Sequence, residues 1–122
     1  MEAWQDSDVR SSNDDVPAAY VADGAWPHAV LREDAPVSAY YGQALARSLA
    51  DALAASGTSL RALGERAGVN HTTVSRLLGG RVLVDIGTVA RIEAALGQEL
   101  WPGLSALDGA RQSTRSSDGG DN

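Results

Sequence analysis

The 122-residue chain has no cysteine, no phenylalanine and one methionine. Without cysteine there is no disulfide framework, no thiolate metal site and no thiol nucleophile. Only two histidines are present, His28 and His71, and they are far apart in sequence. No zinc site or other metal site is therefore expected, and no cofactor. The chain also lacks an HExxH helix, a glycine-rich phosphate loop and a Ser/His/Asp grouping, so catalysis is not expected. Long apolar runs are missing too. None approaches the roughly 18 residues that a membrane span needs. The acidic start, Met1 to Asp8, has no apolar stretch of the kind a signal peptide carries. These absences lead to the expectation of a soluble, cytoplasmic protein with no membrane partner.

Without phenylalanine, the core must be filled by Leu, Val, Ile and Ala, helped by three Trp and three Tyr. Such an alanine-rich set favours closely packed helices. Lysine is absent as well, so every basic residue is an arginine. The net charge of -6 is the wrong sign for a protein that meets phosphates. Its distribution softens the conflict. Eight acids and only Arg10 and Arg32 fall within residues 1–37, whereas residues 38–104 balance six arginines against five acids. The acidity lies in the tails, and the middle is nearly neutral.

Residues 1–24 are polar, acidic and without period, and are expected to form a disordered tail. Residues 25–37 contain Pro27 and Pro36, which oppose one long helix. They read either as a linker or as an arm docked through Trp26, Val30 and Leu31. Residues 105–122 end in Ser, Asp and Gly and read as a flexible tail. Between these lies one domain, residues 38–104.

That domain reads as helices. Ser38 is placed to cap a first helix reaching Ser56, whose stripe is Tyr41, Leu45, Leu49 and Leu53. After Gly57, Thr58 and Ser59 offer caps for a second helix, Leu60 to Ala67. Gly68 follows it. Asn70 is placed to cap a third, His71 to Leu78, which Gly79 and Gly80 end. Asp85 is placed to cap a fourth, Ile86 to Leu96, closed by Gly97. A short terminal turn or helix starts near Glu99-Leu100-Trp101. Arg81 to Val84 reads as a connecting loop.

The second and third helices are each too short to stand alone and must pack on the rest. Leu63 and Ala67 form the inner face of one, and Val74 and Leu77 that of the other. Gly64 leaves room for the two helices to cross closely, which turns one outward as a probe.

This order of small, glycine and apolar residues at 63, 64, 67, 68, 69, 74 and 77 resembles the helix-turn-helix of the phage-repressor-like regulators, the Cro/C1 or XRE family. The resemblance covers roughly residues 40–104. It implies an all-α, five-helix, phage-repressor-like DNA-binding domain in a bacterial transcriptional regulator. Gly64 stands where that family usually has alanine. Leu60 stands where a polar phosphate-contacting side chain is frequent.

A helix fits the major groove and turns its first residues to the base edges. On that geometry His71, Thr72, Ser75 and Arg76 are candidates for base contacts. Arg76 can fork onto guanine. Ser59, Asn70, Thr73 and Arg81 are candidates for phosphate contacts, with the free N–H groups that open helices two and three. The expected partner is double-stranded DNA, bound by a homodimer with contacts near Leu100 to Leu104. The acidic N-terminal tail would lower non-specific DNA binding, and could also engage a protein partner. Two other readings share the fold: the antitoxin of a toxin–antitoxin pair, and a protein-interaction module that does not bind DNA.

Overall fold

The computed structural model describes residues 14–108. The expected tails at 1–13 and 109–122 lie outside the described residues. The chain opens with a single 3-10 turn, Pro17–Tyr20, and a strand β1, Val21–Asp23, paired antiparallel with β2, Val30–Leu31. Four α-helices follow: α1 at Val37–Ser56, α2 at Leu60–Ala67, α3 at His71–Leu78 and α4 at Ile86–Leu96. A second 3-10 turn spans Gly103–Leu107.

The expectation of an all-α, five-helix domain therefore changes in two ways among the described residues. Four α-helices are present, and the last element is a 3-10 turn. A two-stranded pair precedes the helices. The tail boundary also differs from the expected residue 24, because residues 14–24 hold the first 3-10 turn and β1.

The core forms where the sequence stripes meet. Leu45, Leu49 and Leu53 of α1 face Leu63 of α2, Val74 and Leu77 of α3, and Val89 and Ile92 of α4. Each such side chain gains about 1.5–3 kcal/mol from burial. That packing stabilises α2 and α3, whose eight residues apiece are marginal in isolation. Local caps fix where the helices begin. The side chains of Ser59, Asn70 and Asp85 accept the N–H groups of Ala62, Thr72 and Thr88 at 3.0, 2.8 and 2.7 Å. The start of α1 differs from expectation. Its capping position is Pro36, with no side-chain cap, and the Ser38 hydroxyl instead donates to the Asp14 carboxylate at 2.7 Å.

In residues 25–37 Trp26 is half-buried and Leu31 buried, whereas Val30, expected to dock with them, is 63% exposed because it points away from the helices. The whole segment 14–36 lies across the helices, and two glycines receive it. Pro17 sits on Gly42 of α1, where a Cβ would come within 2.5 Å of Pro17 Cγ. The Trp26 ring covers Gly80, where a Cβ would stand 2.5 Å from Cε2 and Cζ2. Gly80 also has φ +69°, a conformation a side chain resists. Its carbonyl accepts the Ala18 N–H at 2.9 Å. Further polar ties come from α1: Gln43 Nε2 donates to the Ala29 carbonyl at 3.1 Å, and Arg47 Nε to the Pro27 carbonyl at 2.6 Å.

The far end is closed by Glu93. One carboxylate oxygen accepts the N–H groups of Leu100 and Trp101, at 2.7 and 2.8 Å. This bends the chain back, buries Leu100, and sets the Trp101 ring edge-on to Tyr41 with centroids 5.3 Å apart.

Candidate nucleic-acid interface

The site is built from α2, the turn at Gly68 and α3. Gly68 leaves α2 with φ +70°, and the N–H of Val69 bonds back to the Gly64 carbonyl at 2.9 Å. The chain then passes directly over Gly64. A Cβ at that position would lie 2.7 Å from the Val69 carbonyl oxygen and 3.2 Å from the His71 nitrogen. Glycine at 64 thus sets how closely α3 begins beside α2.

The placement of α3 follows from its two-sided pattern. Val74 and Leu77 are buried in the core. His71, Thr72, Ser75 and Arg76 are all exposed on the other face. The structure brings these four base-contact candidates together on one outward surface. Around them lie the phosphate-contact candidates. Ser59 and Asn70 are exposed at the first turns of α2 and α3, and Arg81 is exposed just past the end of α3. Thr73 is only half-exposed. The Ser59 hydroxyl and the Asn70 side-chain oxygen are already engaged as caps, which leaves the Asn70 amide N–H groups free to donate outward.

Two features were missed from sequence. The first is Arg61. It is exposed in the opening turn of α2 and lines a cleft with Gly64, Glu65, Asn70 and His71. Leu60, beside it, packs on the core. The polar role missing at 60 is thus available one residue later. The signal lay in the sequence: Leu60 completes an apolar stripe, so its neighbour must face solvent. The second is the partner of Trp26, a residue already expected to dock: its Nε1 donates to the Leu78 carbonyl at 2.8 Å and holds the last turn of α3.

The electrostatics suit an anionic partner at close range. Among the described residues the ion pair is Arg32–Asp34, at 2.7 Å, on the arm. Arg61, Arg76 and Arg81 make no ion pair within the described residues, so their guanidinium donors stay available. Uncapped N–H groups at the starts of α2 and α3 add partial positive charge at the same surface. Among the described residues no helix is long and apolar enough to cross a membrane.

Comparison with known proteins agrees with this geometry. No curated protein and no solved structure matches the chain. A family described as a helix-turn-helix domain matches residues 30–99, more than half the chain, and spans β2 through α4. The chain belongs to this helix-turn-helix domain family.

Proposed function

We propose that this protein is a sequence-specific, DNA-binding transcriptional regulator of the Cro/C1 type, acting in a bacterial cytoplasm. The observation that carries the reading is the two-sided α3. Val74 and Leu77 anchor it in the core, and His71, Thr72, Ser75 and Arg76 face outward together. In this reading α3 enters the major groove. Arg76 forks onto guanine O6 and N7, and Thr72 and His71 meet base edges or a thymine methyl. Arg61, Asn70, Thr73, Ser59 and Arg81 hold the phosphates on either side.

A single eight-residue helix reads only a few base pairs. A homodimer on two half-sites about one helical turn apart supplies the remaining affinity and register. Leu104, exposed at 62% in the last 3-10 turn, supports a contact there.

Selection from a random-sequence duplex pool, followed by a salt titration, tests the proposal. A regulator enriches one motif, and its log affinity falls linearly with log salt. Enrichment of nothing, with no salt slope, refutes it and favours a protein-interaction module. Co-purification of a small toxin enzyme that the chain inhibits favours the antitoxin reading instead.

A further inference from the structure

A pocket of about 280 Å³ opens where the docked arm, α1, the loop after α3 and Trp101 meet. Pro17, Leu45, Leu77 and Gly80 lie at its base, and all four are buried. Val37, Leu83 and Trp101 edge its mouth, exposed at 56, 41 and 48%. Among the described residues none that is charged lines it. The Ser38 hydroxyl on its wall is committed to Asp14. Tyr41 and Trp101, edge to face at 5.3 Å, form an aromatic wall. Each of those two rings also brings one O–H or N–H donor.

We infer that this pocket is a binding site for a small, neutral, aromatic molecule of about two fused rings. Three observations select that chemistry. The first is charge. An ionised ligand would lose its hydration in the pocket and meet no counter-charge there. The second is size. A dry cavity of about 150 Å³ holds benzene, and drug-sized ligands occupy sites of about 300–1,000 Å³. A volume of about 280 Å³ lies between and suits two rings. The third is depth. A flat partner surface would cover Val37, Leu83 and Trp101 at the mouth and would not reach Leu45, Leu77 and Pro17 at the base. A compact molecule reaches both. An aromatic one also continues the edge-to-face packing that Tyr41 and Trp101 begin.

Location gives the consequence. Leu77 belongs to α3, and the wall residues Gly80 and Val82 flank the phosphate-contact candidate Arg81. A bound ring ties Pro17 of the arm to the end of α3 and holds the loop that carries Arg81. A loop ordered in advance gives up less freedom on meeting a phosphate, so occupancy tightens DNA binding. The coupling rests on the regulator reading; the ligand site does not.

Titration of the full chain with 2-naphthol, followed by heteronuclear NMR, tests the site. Saturable shifts are expected at the Trp101 indole N–H, assigned with Trp101→Phe, and at the amides of Gly80, Val82 and Leu83. The ionised analogue 2-naphthoate, with the same rings, binds about 10-fold more weakly or worse. Leu83→Glu and Val37→Glu, both at the exposed mouth, each weaken 2-naphthol about 5–10-fold through lost apolar contact. Shifts that do not saturate, or that fall elsewhere on the surface, overturn the site. So does 2-naphthoate binding as tightly as 2-naphthol. The same resonances moving with protein concentration alone, while sedimentation shows a dimer, also overturn it, because a second copy then covers the pocket. On a duplex that the chain enriches, saturating 2-naphthol tightens binding about 5-fold or more. Equal affinity overturns the coupling. A chain that binds no duplex overturns the coupling together with the regulator reading, and the NMR titration alone then decides the site.

Discussion

The indole Nε1–H of Trp26 donates to the carbonyl of Leu78, 52 residues further along the chain, at 2.8 Å. Leu78 is the last residue of α3, and its carbonyl is one of those a helix C-terminus leaves without an internal partner. The same ring covers Gly80. One side chain outside the matched helix-turn-helix segment thus secures both the end of α3 and the turn after it.

Trp26→Ala is expected to destabilise the domain by about 2–3 kcal/mol, below the range for a fully buried aromatic because the ring is partly exposed. Trp26→Phe keeps most of the packing and loses the hydrogen bond, costing about 1 kcal/mol. Urea denaturation of the two variants separates these contributions. No loss in Trp26→Phe would mean that the bond to Leu78 contributes nothing.

Gly64→Ala tests the crossing of α2 and α3. Helix propensity alone favours alanine by about 0.5–1 kcal/mol. The new methyl, however, would lie 2.7 Å from the Val69 carbonyl, so a net loss of about 1–3 kcal/mol is expected. Gly87→Ala, on α4, is the control. Its Cβ would meet only the Asp85 side chain at 3.6 Å, and the substitution should stabilise by about 0.4–1 kcal/mol. Thermal melts of both variants read opposite signs if the crossing governs position 64.

Arg61 and Arg81 flank the exposed face of α3 without touching its centre. Replacing either by alanine should weaken binding to all duplexes alike and lower the salt slope by about one. Arg76→Ala should instead relax preference at one base position, with about 1–3 kcal/mol of discrimination lost. Salt titrations on matched and mismatched sites distinguish the two behaviours.

Asp85 predicts a pH dependence. The Thr88 N–H, and then its side chain, hold the Asp85 carboxyl below its ordinary value, because they bond the charged form. A lowered folded value gives stability that is present above the unfolded value, near 3.8, and is lost as pH falls through the folded one. Denaturation midpoints should therefore fall between about pH 5 and 3. Asp85→Asn keeps a capping oxygen without the charge and should show a shallower fall.

Much of the helical frame was legible because its signals are local. Ser59, Asn70 and Asp85 each meet an N–H two or three residues away, a pattern a short window contains. The outward face of α3 followed from the burial of Val74 and Leu77 at helical spacing. The arm was legible only as one of two alternatives, through Trp26 and Leu31, and its strands and seats were not, for equally physical reasons. Strands of three and two residues with an irregular register are too short to show a period of two. Their ties to the helices run from Pro17 to Gly42 and from Trp26 to Leu78, beyond any local window. Ser38 misled because an upstream carboxylate, Asp14, claims its hydroxyl. Glu93 gave no signal, since its carboxylate serves backbone groups seven and eight residues on.

The glycine seats of the arm bear on kinetics. The contact between α2 and α3 closes over a short chain distance, whereas Trp26 must find the carbonyl of Leu78 52 residues away. Loop-closure entropy makes such distant contacts late. Substitutions in residues 14–29 should therefore accelerate unfolding and leave the refolding limb of a chevron almost unmoved. The strap sets the lifetime of the assembled domain more than the speed of its assembly.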